Sequence, residues 1–321
     1  MSGYMCTATG RCTPSMVGDG SSVCADVYLD SRLATPNVIM LVDQSGSMNS
    51  DFGSGTRWSV LRNSLLAMPD GFIYDLQAQV RFGLALYSAR AEPDDQPVMG
   101  ECPIMTTVLP PALNNYDAIN AIYGPADPID ETPTGESIDW VVRTVTGAPD
   151  PSADPTIIVL ATDGEPDTCA QPNPQEGQAE AVAAAQRAFA AGIRLYIISV
   201  GEGTVSASHQ QDMANAGIGA PAGASSPYWV AGDDAGLRDA LRTIIGGEIS
   251  CDVTLRGRID ASMACSGTVL LNGMSIPCDD PNGWVVVDDS HIRLQGTACE
   301  TVMNGDAVTL EARFPCDVIL I

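Results

Sequence analysis

Hydrophobic residues form three patterns along the chain, and the pattern changes near residues 37 and 249. In the central part, predominantly apolar runs of strand length occur at 38–42, 156–161 and 193–200. A short, predominantly apolar run is typical of a strand buried on both faces of a parallel sheet. Each run therefore predicts an inner strand of an α/β sheet.

The segments between these runs carry an apolar residue at every third or fourth position, which is the spacing of one helix face. Such helices are predicted near 58–68, 133–145, 179–191, 206–216 and 237–244, and further strands at 80–86 and 228–230. Regular alternation of strands and helices predicts a doubly wound, mostly parallel sheet. We therefore expect one α/β domain over residues 37–248.

The last part of the chain, residues 249–321, loses the helical spacing. Val253 and Leu255 alternate with polar residues, and Asn272-Gly273 separates two short apolar runs, which is a strong hairpin signal. This part is predicted to be a small all-β module. Residues 1–36 are rich in Gly, Ser, Thr and Cys without usable periodicity, so a separate N-terminal cap or linker is expected there.

The charge of the chain excludes one class of partner. The formal net charge is −25, and all 15 basic residues are Arg. Such a charge repels phosphate backbones and anionic lipid headgroups, so neither nucleic-acid nor membrane-surface binding is expected. No apolar run approaches the roughly 20 residues that a membrane helix needs. The acidic excess fits either a solubility device or a face that gathers cations or a basic partner.

The cysteines predict the compartment. There are 10 of them without a C-x-x-C pair, and the only histidines are His209 and His291, so no zinc site is expected. An even number of cysteines in a mixed α/β chain predicts disulfides formed in an oxidising environment. Residues 1–6 lack the apolar stretch of a signal peptide. An extracellular or cell-surface location, with the periplasm as an alternative, is therefore predicted from the cysteines alone.

Polar residues with oxygen side chains follow two of the predicted inner strands, and another opens the helix between them. In an open α/β sheet, ligands bind beyond the carboxyl ends of the strands. Hard oxygen donors at that edge predict a Mg²⁺ site, with Mn²⁺ and Ca²⁺ as alternatives. The candidate residues are, in chain order, Asp43, Ser45, Ser47, Thr132 and Asp163.

This arrangement resembles the metal-ion-dependent adhesion site of von Willebrand factor A-type (vWA) domains, which include the integrin inserted domains. The resemblance rests on D-x-S-x-S after a buried strand, a Thr in a T-x-T-G context, and an Asp followed by Gly. It covers about residues 37–248. It implies the doubly wound vWA fold and a secreted or surface protein of bacterial type.

The resemblance also implies a role for each residue. Ser45 and Ser47 are expected to ligate the metal directly, Thr132 and Asp163 directly or through water. Asp43 is expected to act through water and hydrogen bonds to the serines. One metal position is then left for a Glu or Asp carboxylate of a protein partner. The alternative is a structural subunit of an extracellular assembly, in which a neighbouring copy fills the metal site.

The vWA fold further implies pairs of cysteines. It places the loops carrying Cys102 and Cys169 at the metal-bearing edge, and the domain termini, beside Cys24 and Cys251, together at the opposite edge. We therefore expect the disulfides Cys102–Cys169 and Cys24–Cys251. The other cysteines are expected to pair locally, as Cys6–Cys12 and among Cys265, Cys278, Cys299 and Cys316.

Catalytic signatures in the sequence are weak, and no enzyme activity is expected. Neither histidine lies near a G-x-S-x-G turn, and the Gly-Glu-Gly at 201–203 lacks the third glycine of a dinucleotide-binding loop. Glu165 and Asp167 are candidates for a general base beside a metal. The acidic stretches 92–95 and 279–283 are interpreted as solvated turns, with Ca²⁺ binding as the alternative.

Overall fold

The computed structural model divides the chain into two compact units, one of residues 35–248 and one of residues 1–34 with 249–321. The N-terminal segment, expected to be separate, thus groups with the C-terminal residues. The structure describes residues 4–6, 12–14, 29–30, 32–33, 35–93, 96–147, 154–173, 175–202, 205–248, 251–255, 257–304, 308–315 and 317–320.

The strands of the described residues are, in chain order, β1 (Tyr4–Cys6), β2 (Cys12–Pro14), β3 (Leu29–Asp30), β4 (Arg32–Leu33), β5 (Asn37–Asp43), β6 (Asp51–Phe52), β7 (Gly55–Thr56), β8 (Arg81–Ser88), β9 (Ile104–Ala112), β10 (Thr156–Thr162), β11 (Ile193–Val200), β12 (Trp229–Ala231), β13 (Asp252–Thr254), β14 (Arg258–Ile259), β15 (Thr268–Leu271), β16 (Met274–Ile276), β17 (Trp284–Val286), β18 (His291–Leu294), β19 (Leu310–Arg313) and β20 (Ile319–Leu320). The helices are α1 (Arg57–Leu66), α2 (Phe72–Leu76), α3 (Tyr116–Tyr123), α4 (Thr134–Thr146), α5 (Gln178–Ala190), α6 (Ala207–Gly217), α7 (Asp234–Glu248) and α8 (Gly296–Asn304). Short 3₁₀ turns occur at Gly46–Asn49 and Ala264–Ser266.

The larger unit is built on a six-stranded sheet in the order β12-β11-β10-β5-β8-β9. All neighbours are parallel except β9, which runs antiparallel to β8. Every residue of β5 is buried, as the uninterrupted apolar run predicted. The doubly wound, mostly parallel sheet expected from the sequence is thus confirmed.

Helices cover the faces of this sheet. On one face, α4, α5 and α6 share a hydrophobic core with Ile39 and Leu41 of β5. Side chains on a strand alternate between faces, so Val38 and Met40 point away from that core and are equally buried. Elsewhere α1 contacts α3 and α7, which pack on β8 and β11 respectively. The sheet edge that carries the carboxyl ends of the parallel strands is left for the loops.

Helix α6 approaches β11 closely at Gly217, where a Cβ atom would lie 2.2 Å from the Leu195 carbonyl oxygen. We expect Gly217→Ala to lower the free energy of unfolding by about 1–3 kcal/mol, as overpacking does. Gly236→Ala is the matched control, because a Cβ there would meet nothing closer than 3.4 Å and alanine favours the helix. Urea denaturation measures both variants, and equal stability would contradict the close packing of α6.

The smaller unit consists of short antiparallel sheets around Val253, Trp284 and Phe314. Two strands of the N-terminal segment take part, since β3 pairs with β19 and β4 with β13. The predicted hairpin at Asn272-Gly273 is confirmed, and both residues have the positive φ (51° and 78°) of a tight two-residue turn.

This unit is not all-β as expected, because it also contains α8. Ala298 and Val302 lie one helical turn apart, and both are buried in the hydrophobic core of the unit. A single apolar pair at this spacing is too short a pattern to separate a helix from a strand in the sequence.

The predicted disulfide Cys102–Cys169 is present, with the two Cα atoms 5.3 Å apart. The predicted Cys24–Cys251 pair is wrong, because Cys251 bonds Cys299. The backbone carbonyl of Cys251 accepts a hydrogen bond from Leu294, two residues before α8 begins, so the first turns of α8 bring Cys299 within reach.

Cys265–Cys278 forms, in agreement with the expected local pairing. Asp279 lies near these two sulfurs, which are bonded to each other and therefore leave no thiolate for a metal. In the β1–β2 pair, Cys6 lies opposite Cys12 in the backbone register. Their side chains, and the predicted partners Cys24 and Cys316, lie outside the described residues, as do two residues of the acidic stretch 92–95.

No helix among the described residues is long and apolar enough to cross a membrane.

Candidate functional site

The candidate site lies where β5 and β10 end side by side. The two strands are parallel neighbours, with Val42 opposite Ala161, so their carboxyl ends reach the same edge of the sheet. Asp43 is the last residue of β5, and Asp163 follows the last residue of β10. Both carboxylates are almost completely buried. The sheet register therefore brings together two acidic residues that are far apart in sequence.

Asp43 is the anchor of the turn that follows β5. Its Oδ1 accepts a hydrogen bond from the Ser45 backbone N–H (2.8 Å), and its Oδ2 accepts one from the Thr162 hydroxyl (2.6 Å). The turn is also held from outside, since the Gly46 N–H donates to the Asp130 carbonyl (2.8 Å). The two serines of D-x-S-x-S are thereby fixed in direction before any ligand binds.

The serine hydroxyls connect the two strand ends. Ser45 Oγ and Ser47 Oγ are 2.9 Å apart, and Ser47 Oγ donates to Asp163 Oδ1 at 2.7 Å. Ser45 is buried, whereas Ser47 is exposed, so the cluster has a buried floor and an opening to solvent. This chain of oxygens joins three of the predicted site residues, and Asp43 is linked to it through the Ser45 backbone N–H.

Thr132, the remaining predicted residue, borders the same space. A Cβ atom placed on Gly164 would lie 3.6 Å from Ser47 Oγ and 3.7 Å from Thr132 Oγ1, so the two hydroxyls flank Gly164. The absence of a side chain at Gly164 keeps the space between them open. All of the predicted site residues therefore gather at one sheet edge.

Asp167 positions Thr132. Its Oδ2 accepts the Thr132 backbone N–H at 2.6 Å, and its own N–H donates to the Thr132 carbonyl at 3.1 Å. Burial raises the pKa of the Asp167 carboxyl to about 8, against the lowering effect of the Thr132 hydrogen bond. The sequence indicated Asp167 only as a candidate base. Its two hydrogen bonds to Thr132 attach the segment before α4 to the loop after β10.

Arg57 is the site residue that the sequence did not reveal. Its Nη1 lies 2.5 Å from Asp163 Oδ2 and forms an ion pair that is largely shielded from solvent. Arg57 and Asp163 are separated by 106 residues, and nothing in the residues around Arg57 signals a partner. Only the packing of α1 beside the strand ends brings them together.

The electrostatics of the cluster favour a cation. Burial, followed by the charge of Asp163, raises the pKa of the Asp43 carboxyl to about 6, against hydrogen bonds from Thr162 and Ser45. The charge of Asp163 thus lies close enough to oppose the ionisation of Asp43, and a cation between the two carboxylates relieves that repulsion. The donors are carboxylate and hydroxyl oxygens, the preferred ligands of Mg²⁺, Mn²⁺ and Ca²⁺. The residues present therefore fit a divalent cation.

The disulfide Cys102–Cys169 stabilises the loop that carries Asp167. It attaches this loop to the residues just before β9, and the Cys169 N–H also donates to Glu136 Oε1 on α4 at 2.8 Å. Disulfides are typical of proteins in oxidising compartments outside the cytosol.

Neither a protein-family model nor a curated protein matches this sequence. Among solved structures, the pilus adhesin SpaC from Lactobacillus rhamnosus GG is similar with a TM-score of 0.52 and 16% identity over 89% of this chain and 40% of that chain. Its open conformation gives a TM-score of 0.52 and 13% identity over 98% of this chain and 50% of that chain. The chain thus spans half or less of these adhesin chains.

The manganese-loaded TRAP protein of Plasmodium vivax is similar at a lower TM-score of 0.47, with 15% identity over 76% of this chain and 89% of that chain. Identities this low bear on the fold alone. The sheet order, the helices on its faces and the likeness to the SpaC adhesin show a doubly wound α/β fold, as the vWA resemblance implies.

Proposed function

We propose that this chain is an extracellular or cell-surface binding module that holds Mg²⁺ and binds a protein partner through it. The observation that carries the proposal is the chain of hydrogen-bonded oxygens from Ser45 through Ser47 to Asp163, at the carboxyl ends of two parallel strands. Thr132 Oγ1 faces the same space across Gly164. Mn²⁺ and Ca²⁺ are alternative occupants, because they accept the same oxygen donors.

In this function the protein preorganises the oxygen donors of the metal site. Asp43 fixes the serine turn through the Ser45 N–H, and Asp167 fixes Thr132 through its backbone N–H. Ser45, Ser47, Thr132 and Asp163 would hold the cation, directly or through water. Two carboxylates roughly cancel its charge, so when bound it would supply a position for one further anionic oxygen, such as a Glu or Asp carboxylate of the partner. The exposed Ser47 gives the partner access.

Binding is favoured over catalysis because both candidate bases are engaged in structural hydrogen bonds. Asp167 holds Thr132, and Glu165 accepts hydrogen bonds from the Gln178 side chain and the Ser206 backbone. The net charge of −25 slows the approach of an acidic protein. The partner is therefore expected to present a single exposed carboxylate within a neutral or basic patch.

Water proton relaxation of the Mn²⁺-loaded protein tests this proposal directly. Acetate, as the smallest carboxylate probe, should displace water from the bound Mn²⁺ and lower the relaxation enhancement. Thr132→Ala is expected to weaken Mn²⁺ binding at least tenfold, because it removes one donor. Thr144→Ala is the matched control, since among the described residues that hydroxyl bonds only the Trp140 carbonyl within α4. Unchanged Mn²⁺ binding in Thr132→Ala, or no effect of acetate, would contradict the proposal.

The second candidate function is a structural subunit whose metal position is filled by a carboxylate of another copy. It is favoured by one observation, that the chain itself carries 40 Asp and Glu residues, so a neighbouring copy has many carboxylates to offer. Size-exclusion chromatography with light scattering, in Mg²⁺ and in EDTA, separates the two functions. A chelator-sensitive oligomer supports the subunit, whereas a monomer under both conditions supports binding of a different partner.

A further inference from the structure

Arg57 is held rigidly at the beginning of α1. The preceding residue, Thr56, caps the helix by accepting a hydrogen bond from the Ser59 N–H, and the Arg57 N–H donates to the Ser50 carbonyl at 3.0 Å. The side chain therefore leaves a backbone that is held by hydrogen bonds, 10 residues after Ser47. Its direction toward the site is built into the fold.

The guanidinium reaches into the oxygen cluster. Nη1 lies 2.5 Å from Asp163 Oδ2 and 3.4 Å from the Ser47 carbonyl oxygen. The Arg57 side chain is 16% exposed and that of Asp163 is fully buried, so water screens their attraction only weakly. A Cβ on Gly201 would lie 3.0 Å from Arg57 Nε, which shows that the backbone there packs against the guanidinium.

This contact uses an oxygen that a metal would need. Asp163 Oδ1 already accepts from Ser47, and Oδ2 accepts from Arg57, so both oxygens of this carboxylate are engaged. The Arg57 Nε is buried without an acceptor among the described residues, so the guanidinium pairs through one nitrogen only and not as a bidentate fork. The contact neutralises Asp163 but is not an optimal ion pair.

We propose that Arg57 is an internal cation that competes with the divalent metal for Asp163 and thereby sets the metal affinity of the site. The inference rests on the proposed function. With the metal absent, the guanidinium neutralises Asp163. When the metal binds, the positive charges of the two cations repel each other within one cluster, and the metal affinity is lower than the oxygen donors alone would give. Arg57 thus shifts metal occupancy toward higher cation concentrations.

Titration calorimetry with Mg²⁺ and with Mn²⁺ on the full chain tests the competition. Arg57→Gln is expected to lower the metal Kd by about tenfold, since it removes a cation from the cluster. Arg62→Gln is the matched control, because it changes the net charge equally on the same helix, and the Arg62 side chain bonds only the Gly124 carbonyl within the part of the chain that the structure describes. Arg57→Lys keeps the charge and is expected to bind metal nearly as weakly as the parent.

Melting curves give a second, independent measure. In EDTA, Arg57→Gln should melt below the parent, because Asp163 is left buried without a cation, and Mg²⁺ should close that difference. If this variant folds only with Mg²⁺ present, that dependence also supports the proposal, since the metal then replaces the guanidinium. Arg57→Lys provides the affinity comparison in that case.

Two results would overturn the inference in different ways. If the parent binds metal and Arg57→Gln binds it with equal or lower affinity, then Arg57 orients Asp163 for the metal and does not compete with it. The proposed function would stand in that case. Absence of metal binding in the parent, Arg57→Gln and Asp163→Ala alike would overturn both proposals, because there would be no metal for Arg57 to oppose.

Discussion

Mg²⁺ added to the metal-free protein is expected to raise its melting temperature by roughly 5–10 °C at a concentration about 100 times the Kd. A ligand that binds only the folded state stabilises it by mass action, and EDTA should reverse the gain. Asp43→Ala and Asp163→Ala should each abolish it. Asp43 fixes the serine turn, and Asp163 receives the Ser47 hydroxyl.

Differential scanning fluorimetry measures this effect, with Asp239→Ala as the matched control. This substitution removes the same charge, but the Asp239 side chain is 79% exposed on α7 beside Arg242. The control should keep the full Mg²⁺ gain. Ser47→Ala provides a milder test, because it removes one donor without removing a buried charge. An identical melting curve with and without Mg²⁺ in the parent would argue strongly against a metal site.

Removal of the disulfide Cys102–Cys169 is expected to lower the free energy of unfolding by about 4 kcal/mol in the chain-entropy account, because it closes a loop of 67 residues. The double variant Cys102→Ser/Cys169→Ser should also bind Mg²⁺ more weakly. The loop that contains Cys169 also carries Asp167, which holds Thr132 in place. Urea denaturation and Mg²⁺ titration calorimetry measure the two effects.

Cys265→Ser/Cys278→Ser is the control for this disulfide. It removes a bridge over 13 residues in the smaller unit, with an expected cost of about 3 kcal/mol, and should leave the Mg²⁺ affinity unchanged. If both double variants lost the same metal affinity, the effect would not come from the loop that carries Asp167. Full stability of Cys102→Ser/Cys169→Ser would mean that the bridge does not constrain the unfolded chain.

The sequence by itself determined the architecture of the larger unit and the sheet edge at which the candidate residues lie. Runs such as 38–42 and 156–161 are apolar on both faces, which only an inner strand of a covered sheet satisfies, and the structure has β5 and β10 there. Because parallel strands end at one edge, Asp43 and Asp163 could be placed on the same edge of the sheet from the sequence. Only the sheet order, in which β5 and β10 are neighbours, brings the two residues together.

Side-chain partners between distant segments were decided by the tertiary structure alone. Arg57 reaches Asp163 because α1 packs beside the ends of β5 and β10, and Asp167 holds Thr132 because two loops converge. Cys251 bonds Cys299 because α8 follows β18 closely. Local periodicity reports whether a residue is buried and in which kind of element, but it carries no information about the direction and distance that join two buried groups. Those depend on the packing of whole elements, and here that packing supplies the cation that faces the proposed metal site.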